Sequence, residues 1–174
     1  MSDVSKLGSL DSREIDELTD LLNDVVTNGT SVGYVLPVDL TLLRAYWEGV
    51  AREVASGDIC LLAIRRDRRI VASAQLAFCG KPNGRHRAEV QKVLVHSAYR
   101  RSGMARALMA AAEEQARLHD RSLLVLDTES ESAGQRLVEA TGYVRAGDIP
   151  RFALGTVSGW AATTYMYKLL EDRP

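Results

Sequence analysis

The sequence predicts an α/β fold: a mixed, mostly antiparallel central sheet with helices on both faces and one parallel strand-helix-strand unit. Three observations lead there. Two amphipathic helical stretches precede the first apolar run. Three apolar runs, Ile59 to Arg65, Arg69 to Cys79 and Ala88 to His96, then follow with only short turns between them. That spacing makes them antiparallel neighbours. A helical stretch next separates Ala88–His96 from a further apolar run, and the right-handed crossover rule makes that pair parallel. The 174 residues suit one domain over residues 1–174, burying roughly 70 % of the unfolded surface.

The elements follow in order. Asp11 or Ser12 caps a helix to about Asn28, with Ile15, Leu18, Leu22 and Val25 at helical spacing and Gly29 ending it. A second helix begins near Asp39, carries Leu43, Tyr46, Val50 and Val54 on one face, and closes at Gly57. Asp67 and Pro82-Asn83-Gly84 turn the chain between the next strands. A third helix, Ser102 to His119, shows Ala105, Leu108, Met109, Ala112 and Ala116 on its apolar face. Leu123 to Leu126 reads as a strand buried on both faces. Ser132 to Ala140 is a short helix with Ser132 and Gln135 in capping-box spacing. The last strands are expected at Tyr143 to Ala146 and Thr163 to Leu170, separated by a long loop holding Gly147, Pro150, Gly155 and Gly159.

Composition excludes several roles. Lys plus Arg is 22 against 23 Asp plus Glu, a formal net charge of -1, where a nucleic-acid binder carries a basic excess. The longest largely apolar stretch, Ile70 to Cys79, is far short of the ~20 residues that a membrane span needs. The first residues carry no apolar leader. Cys60 and Cys79 sit in apolar runs and read as reduced thiols of a cytoplasmic protein. His86, His96 and His119 have no metal-ligand spacing, so no metal is expected.

The most informative segment joins the third of those antiparallel strands to the third helix. Val93, Leu94 and Val95 end the strand; Arg100, Arg101, Ser102, Gly103, Met104, Ala105 and Arg106 start the helix. Helix N-termini favour acidic residues, yet here three arginines gather and no acid appears before Glu113. An anion relieves that crowding, and Gly103 and Ala105 leave room for a phosphate to reach the backbone. Neither of the common phosphate-loop patterns is present.

Arg100-x-x-Gly103-x-Ala105 is similar to the R/Q-x-x-G-x-G/A motif of the GNAT N-acetyltransferase family, and Gly142-Tyr143 resembles its later Gly-aromatic pair. The order of elements matches along nearly the whole chain. Ser31 to Tyr34, Ala72 to Leu76, Lys81 to Gly84, Arg87 to Lys92 and Leu126 to Glu129 look like segments of the family's tabtoxin-resistance acetyltransferases, which acetylate the amine of a small amino-acid toxin. The resemblance implies a GNAT fold and acetyl-CoA as cosubstrate, its pyrophosphate held by backbone amides of the arginine turn. It also implies an oxyanion donor from the Leu94 or Val95 amide.

Glu89, Gln91 and Lys92 interrupt a central strand, and period-two alternation puts Glu89 and Gln91 on the same face as Val93 and Val95. Asp127 and Glu129 end the neighbouring strand, where ligands of open α/β sheets bind. Amines are protonated near neutral pH, so a carboxylate can attract the ammonium and take its proton. Glu89 and Asp127 are the catalytic candidates, and the resemblance points to the same two. Ser31, Tyr34, Gln91 and Glu129 are candidate substrate contacts. The alternative for Glu89 is a surface ion pair with Lys92 or Arg87. The tyrosine that many family members use as general acid is Val138 here, and the asparagine seven residues earlier is Glu131. Tyr143, Tyr165 and Tyr167 lie on expected strands and are possible substitutes; the thiolate can also leave unassisted.

The expected activity is therefore transfer of acetyl from acetyl-CoA to a small amine, such as an amino-acid-like toxin or antibiotic, by a monomer or homodimer. Loops carrying Trp160 and Tyr34 are expected to cover the site. The alternatives are a protein or peptide N-acetyltransferase and a non-catalytic acyl-CoA-binding module.

Overall fold

A computed structural model describes residues 3–155 and 159–170. Its strands are β1 (Val4–Leu7), β2 (Ile59–Arg66), β3 (Arg69–Phe78), β4 (Arg87–Val95), β5 (Leu123–Glu129), β6 (Val144–Leu154) and β7 (Trp160–Leu169). Its helices are α1 (Ser12–Thr27), α2 (Leu40–Ser56), α3 (Met104–Leu118) and α4 (Ala133–Glu139). The strands form one sheet in the order β1-β2-β3-β4-β5-β7-β6. β4 and β5 are parallel, as the crossover requires, and every other pair is antiparallel.

Local chemistry explains the helices. Asp11 caps α1 by accepting from the Glu14 amide at 2.7 Å, and Glu14 accepts in return from the Asp11 amide at 3.1 Å. Gly57 ends α2 in the left-handed conformation, at φ 83°. Leu18, Leu22, Leu43 and Trp47 of α1 and α2 pack on one sheet face with Leu61 and Leu94. Leu108, Met109 and Ala112 of α3 pack on the other with Ala72, Ala74, Ala88 and Val90. β2 is thus buried on both faces over Ile59–Ile64. No helix among the described residues is long and apolar enough to cross a membrane.

Five expectations need correction. A short β1 precedes α1 and pairs with β2; four residues carry too little pattern to announce a strand. The expected long loop after residue 146 is mostly strand, since β6 runs to Leu154 and β7 starts at Trp160. Almost every β6 residue is exposed, so the strand has no hydrophobic alternation. Its Gly147 and Pro150 fall at register shifts, where an edge strand accommodates them. Tyr143 sits in the core just before β6, and α3 starts at Met104 because Gly103, at φ 83°, turns the chain first.

The fifth correction shapes the site. Ser73 pairs with Leu94 but Gln75 pairs with Gln91, so Lys92 and Val93 together oppose Ala74. This β-bulge, with Lys92 at φ 47°, switches the faces of β4. Glu89 and Gln91 point away from Ala88 and Val90, towards α1 and α2. Beyond the bulge, Val93 and Val95 pack on the α3 side and Leu94 on the α1/α2 side. Glu89 and Gln91 therefore do not share a face with Val93 and Val95.

Candidate active site

β4 and β5 pair only through Arg87–Leu123, Ala88–Leu124 and Glu89–Val125. Past Glu89 the bulge carries β4 away from β5, and a cavity of about 460 Å³ opens between them. Glu89, Gln91 and Lys92 of β4 line it, facing Asp127 and Glu129 of β5. Leu124 and Leu126 belong to the α3-side core, so alternation turns Asp127 and Glu129 towards α1 and α2, on the same side as Glu89. Thr30 to Gly33, Tyr46, the inner residues of α4, and Phe152 and Ala162 of the β6–β7 ribbon complete the wall.

The polar lining is arranged in layers. Asp127 accepts a hydrogen bond from the Thr163 hydroxyl at 3.0 Å. Among the described residues no cation lies within 4.0 Å of Glu89, Asp127 or Glu129. The surface-pair alternative for Glu89 is thereby set aside; Arg87 instead donates to Cys79 Sγ at 3.4 Å. The Lys92 ammonium lies over the Tyr46 ring, 5.3 Å from its centroid. Burial pulls that ammonium below the ordinary lysine range, while Asp127 and Glu89 draw it back up. The Tyr46 hydroxyl donates to Gln75 Oε1 at 3.0 Å.

The arginine turn lies at the α3 end of the cavity, which Ala105 and Met109 reach. No side chain caps α3 and no acid lies in its first turn, so its amides are open to an anion. A Cβ on Gly103 would meet no atom within 4 Å. Arg100, Arg101 and Arg106 are exposed there. Arg100 donates to the Thr30 hydroxyl at 3.1 Å and so ties the turn to the loop that lines the cavity. Ser102 is exposed and donates to the Tyr99 carbonyl at 2.5 Å. The Met104 side chain is buried in the core, as is that of Leu94; only their backbones are available to a ligand.

Ser31, Gln91 and Glu129 line the cavity as expected, but Tyr34 does not. Its ring packs edge-on against Tyr46 at 6.2 Å, beside the α1/α2 core. Nor does any of the expected substitute tyrosines line it. Tyr143 is buried beneath Lys168, at 5.6 Å from ring centroid to ammonium, and Tyr165 packs against Phe152. Trp160 opens β7 with its side chain exposed, so it covers nothing. The tyrosine that does line the cavity, Tyr46, was hidden in the sequence among the apolar positions of α2. The orientation of Lys92 in the wall depends on a bulge that no periodicity reveals. The Val138 side chain fills the usual tyrosine position with a methyl-bearing wall.

The sequence model of the acetyltransferase (GNAT) family matches residues 19–143. The chain belongs to the GNAT acetyltransferase family. A relative, an uncharacterized N-acetyltransferase from the hisH-hisA intergenic region of Azospirillum brasilense, is 29% identical over 161 residues, covering 90% of this chain and 94% of the relative. The ribosomal-protein-alanine N-acetyltransferase of Brucella melitensis superposes with a TM-score of 0.78 at 24% identity, over 97% of this chain and 99% of that one. The phosphinothricin acetyltransferase of Sinorhizobium meliloti, solved in complex with acetyl-CoA, gives a TM-score of 0.78 at 13% identity, over 97% of this chain and 88% of that one. At such identities these superpositions establish the GNAT fold. Among the described residues, no group of three or more His, Cys, Asp or Glu side chains is gathered to hold a metal ion.

Proposed function

We propose that the protein is an acetyl-CoA-dependent N-acetyltransferase whose acceptor is a small cationic amine. The observation that carries this reading is the cavity beside the arginine turn, with Glu89, Asp127 and Glu129 against the single ammonium of Lys92 in its wall. Net negative charge in a partly desolvated space favours an ammonium over an acidic peptide or a neutral arylamine. An amino-acid-like toxin or antibiotic is an acceptor of that class, and the fold shared with the phosphinothricin acetyltransferase of Sinorhizobium meliloti is consistent with it. Acetyl-CoA places such an enzyme in the cytoplasm, where the free thiols of Cys60 and Cys79 stay reduced.

The residues divide the work. The α3 amides from Gly103 onward, with Arg100, Arg101 and Arg106, hold the diphosphate. Beyond Glu89 no strand covers one edge of β4, and the backbone groups of Val93, Leu94 and Val95 that face that edge are the ones left to hold the cosubstrate. When bound, acetyl-CoA supplies an activated thioester. Asp127 and Glu89 attract the acceptor ammonium and remove its proton; Thr163 keeps the Asp127 carboxylate oriented. Ser31, Gln91 and Glu129 contact the rest of the acceptor.

Steady-state competition tests the reading. Small amino acids, polyamines and amine antibiotics are compared with ribosomal N-terminal and lysine peptides, following release of CoA thiol. The expected outcome is a higher kcat/KM for the small amines. A win by the peptides makes the protein a peptide acetyltransferase. Tight acetyl-CoA binding with no turnover on any amine makes it a binding module.

A further inference from the structure

The acceptor cavity already contains an amine. Lys92 lines it beside the two proposed bases, on a bulge whose left-handed backbone, φ 47°, an L-residue adopts only at some cost. Its Nζ lies 3.7 Å from the position that a Cβ on Gly33 would take, an ordinary contact distance, so the ammonium reaches the loop before α2. The ammonium lies over the Tyr46 ring, is attracted by Asp127 and Glu89, and makes no ion pair within 4.0 Å among the described residues. Lys168 differs: its ammonium is fixed to Glu113 Oε1 and the Thr141 carbonyl, both at 2.7 Å. The chain has two further lysines, Lys6 and Lys81, and both are exposed to solvent.

We infer that Lys92 is itself an acetyl acceptor, so that without a free amine the enzyme acetylates its own cavity wall. The inference rests on the acetyl-CoA reading above. The Lys92 ammonium gives one proton to Asp127 or Glu89, which passes it to solvent. The freed lone pair attacks the thioester carbonyl, the N–C bond forms and the C–S bond breaks. The departing thiolate takes the second proton of the nitrogen, leaving CoA thiol and an acetyl-lysine. Burial, which lowers the proton affinity of Lys92, enlarges the neutral fraction that can react. The product is uncharged and bulkier than lysine in a space bounded by Tyr46 and Gly33, so modification removes the only cation that lines the cavity among the described residues, and narrows it. A free acceptor competes with Lys92 for the same bases, which makes the modification a response to acceptor scarcity.

The test incubates the full chain with acetyl-CoA and no added amine, and reads intact mass, peptide maps and released thiol. The expected result is one acetyl group per chain at Lys92, with equimolar thiol, suppressed by a good acceptor. Asp127→Asn should slow it roughly a hundredfold near neutral pH, and Lys92→Arg should abolish it. Acetyl groups confined to Lys6 or Lys81, or appearing at Lys92 no faster than at those exposed lysines, overturn the inference. If acetyl-CoA shifts the melting temperature and a small amine is turned over while Lys92 stays unmodified, the inference fails and the proposed function stands. If acetyl-CoA produces no shift, both fall.

Discussion

The Tyr46 hydroxyl donates to Gln75 Oε1 across 3.0 Å, joining α2 to β3 beneath the cavity. Burial raises the Tyr46 phenol from 10.0 to about 12. A group held above its unfolded value lends stability that is complete below the unfolded value and disappears as pH rises through the folded one. Stability should therefore fall between about pH 10 and 12, the range set by these two values. Tyr46→Phe leaves Gln75 Oε1 without its donor and should cost about 1 kcal/mol near neutral pH. The gap to wild type should shrink as pH rises above 10 and change sign before pH 12. Denaturant titrations across that range check this; a constant gap would show that the phenol is not desolvated. Tyr143, also raised by burial, keeps some alkaline loss in both proteins.

Gly103 takes φ 83° at the head of α3, with open space where a Cβ would be. Gly103→Ala should cost about 1–2 kcal/mol of stability from left-handed strain yet retain the thermal shift that acetyl-CoA produces. Gly103→Glu carries the same strain and adds an anion at the open amides, so the shift should vanish. Melting curves with and without acetyl-CoA separate the two effects. Retention of the full shift by Gly103→Glu would move the diphosphate elsewhere.

Glu89 and Asp127 line the cavity, whereas Arg100, Arg101 and Arg106 do not. Glu89→Gln and Asp127→Asn should lower turnover by roughly 10²–10⁴-fold while acetyl-CoA affinity changes little. The deficit should shrink at high pH, where the acceptor amine is already neutral. Parallel kinetics and calorimetry decide it. Wild-type turnover in both variants near neutral pH would leave these carboxylates without a catalytic part.

Lys168 bridges α3, β7 and the turn after α4 through Glu113 and the Thr141 carbonyl, each at 2.7 Å. Lys168→Met keeps the aliphatic stem but leaves Glu113, largely buried, without this partner. A loss of about 2 kcal/mol is expected, below the cost for a fully buried pair because part of the site meets water. The double variant Lys168→Met/Glu113→Leu should recover much of it. Urea denaturation provides the comparison, and additive losses would rule out coupling between the two groups.

Much of the architecture was legible in the residue order. The capping box at Asp11 and Glu14, the Gly57 stop and the apolar stripes of α1 to α3 act over a few neighbouring residues. A periodicity argument can see them. So can the crossover between β4 and β5, because handedness leaves one choice. The arginine turn was readable for the same reason: a glycine, a missing acid and three cations are local facts.

What escaped the sequence depends on partners distant in the chain. β1 exists because β2 offers it an edge, and β6 because β7 does; exposed side chains on both strands erase the alternation that would announce them. The bulge at Lys92 arises from the mismatch between Ser73–Leu94 and Gln75–Gln91 across β3 and β4. One extra residue there reverses the faces beyond it and ends the pairing with β5. The sequence by itself determined the fold class, the position of the arginine turn and the carboxylates that line the cavity. Only the tertiary structure decided that Tyr46 and Lys92 join them and that Tyr34 and Tyr143 do not. Side-chain direction past a bulge is set by the register of the neighbouring strand, not by position in the chain.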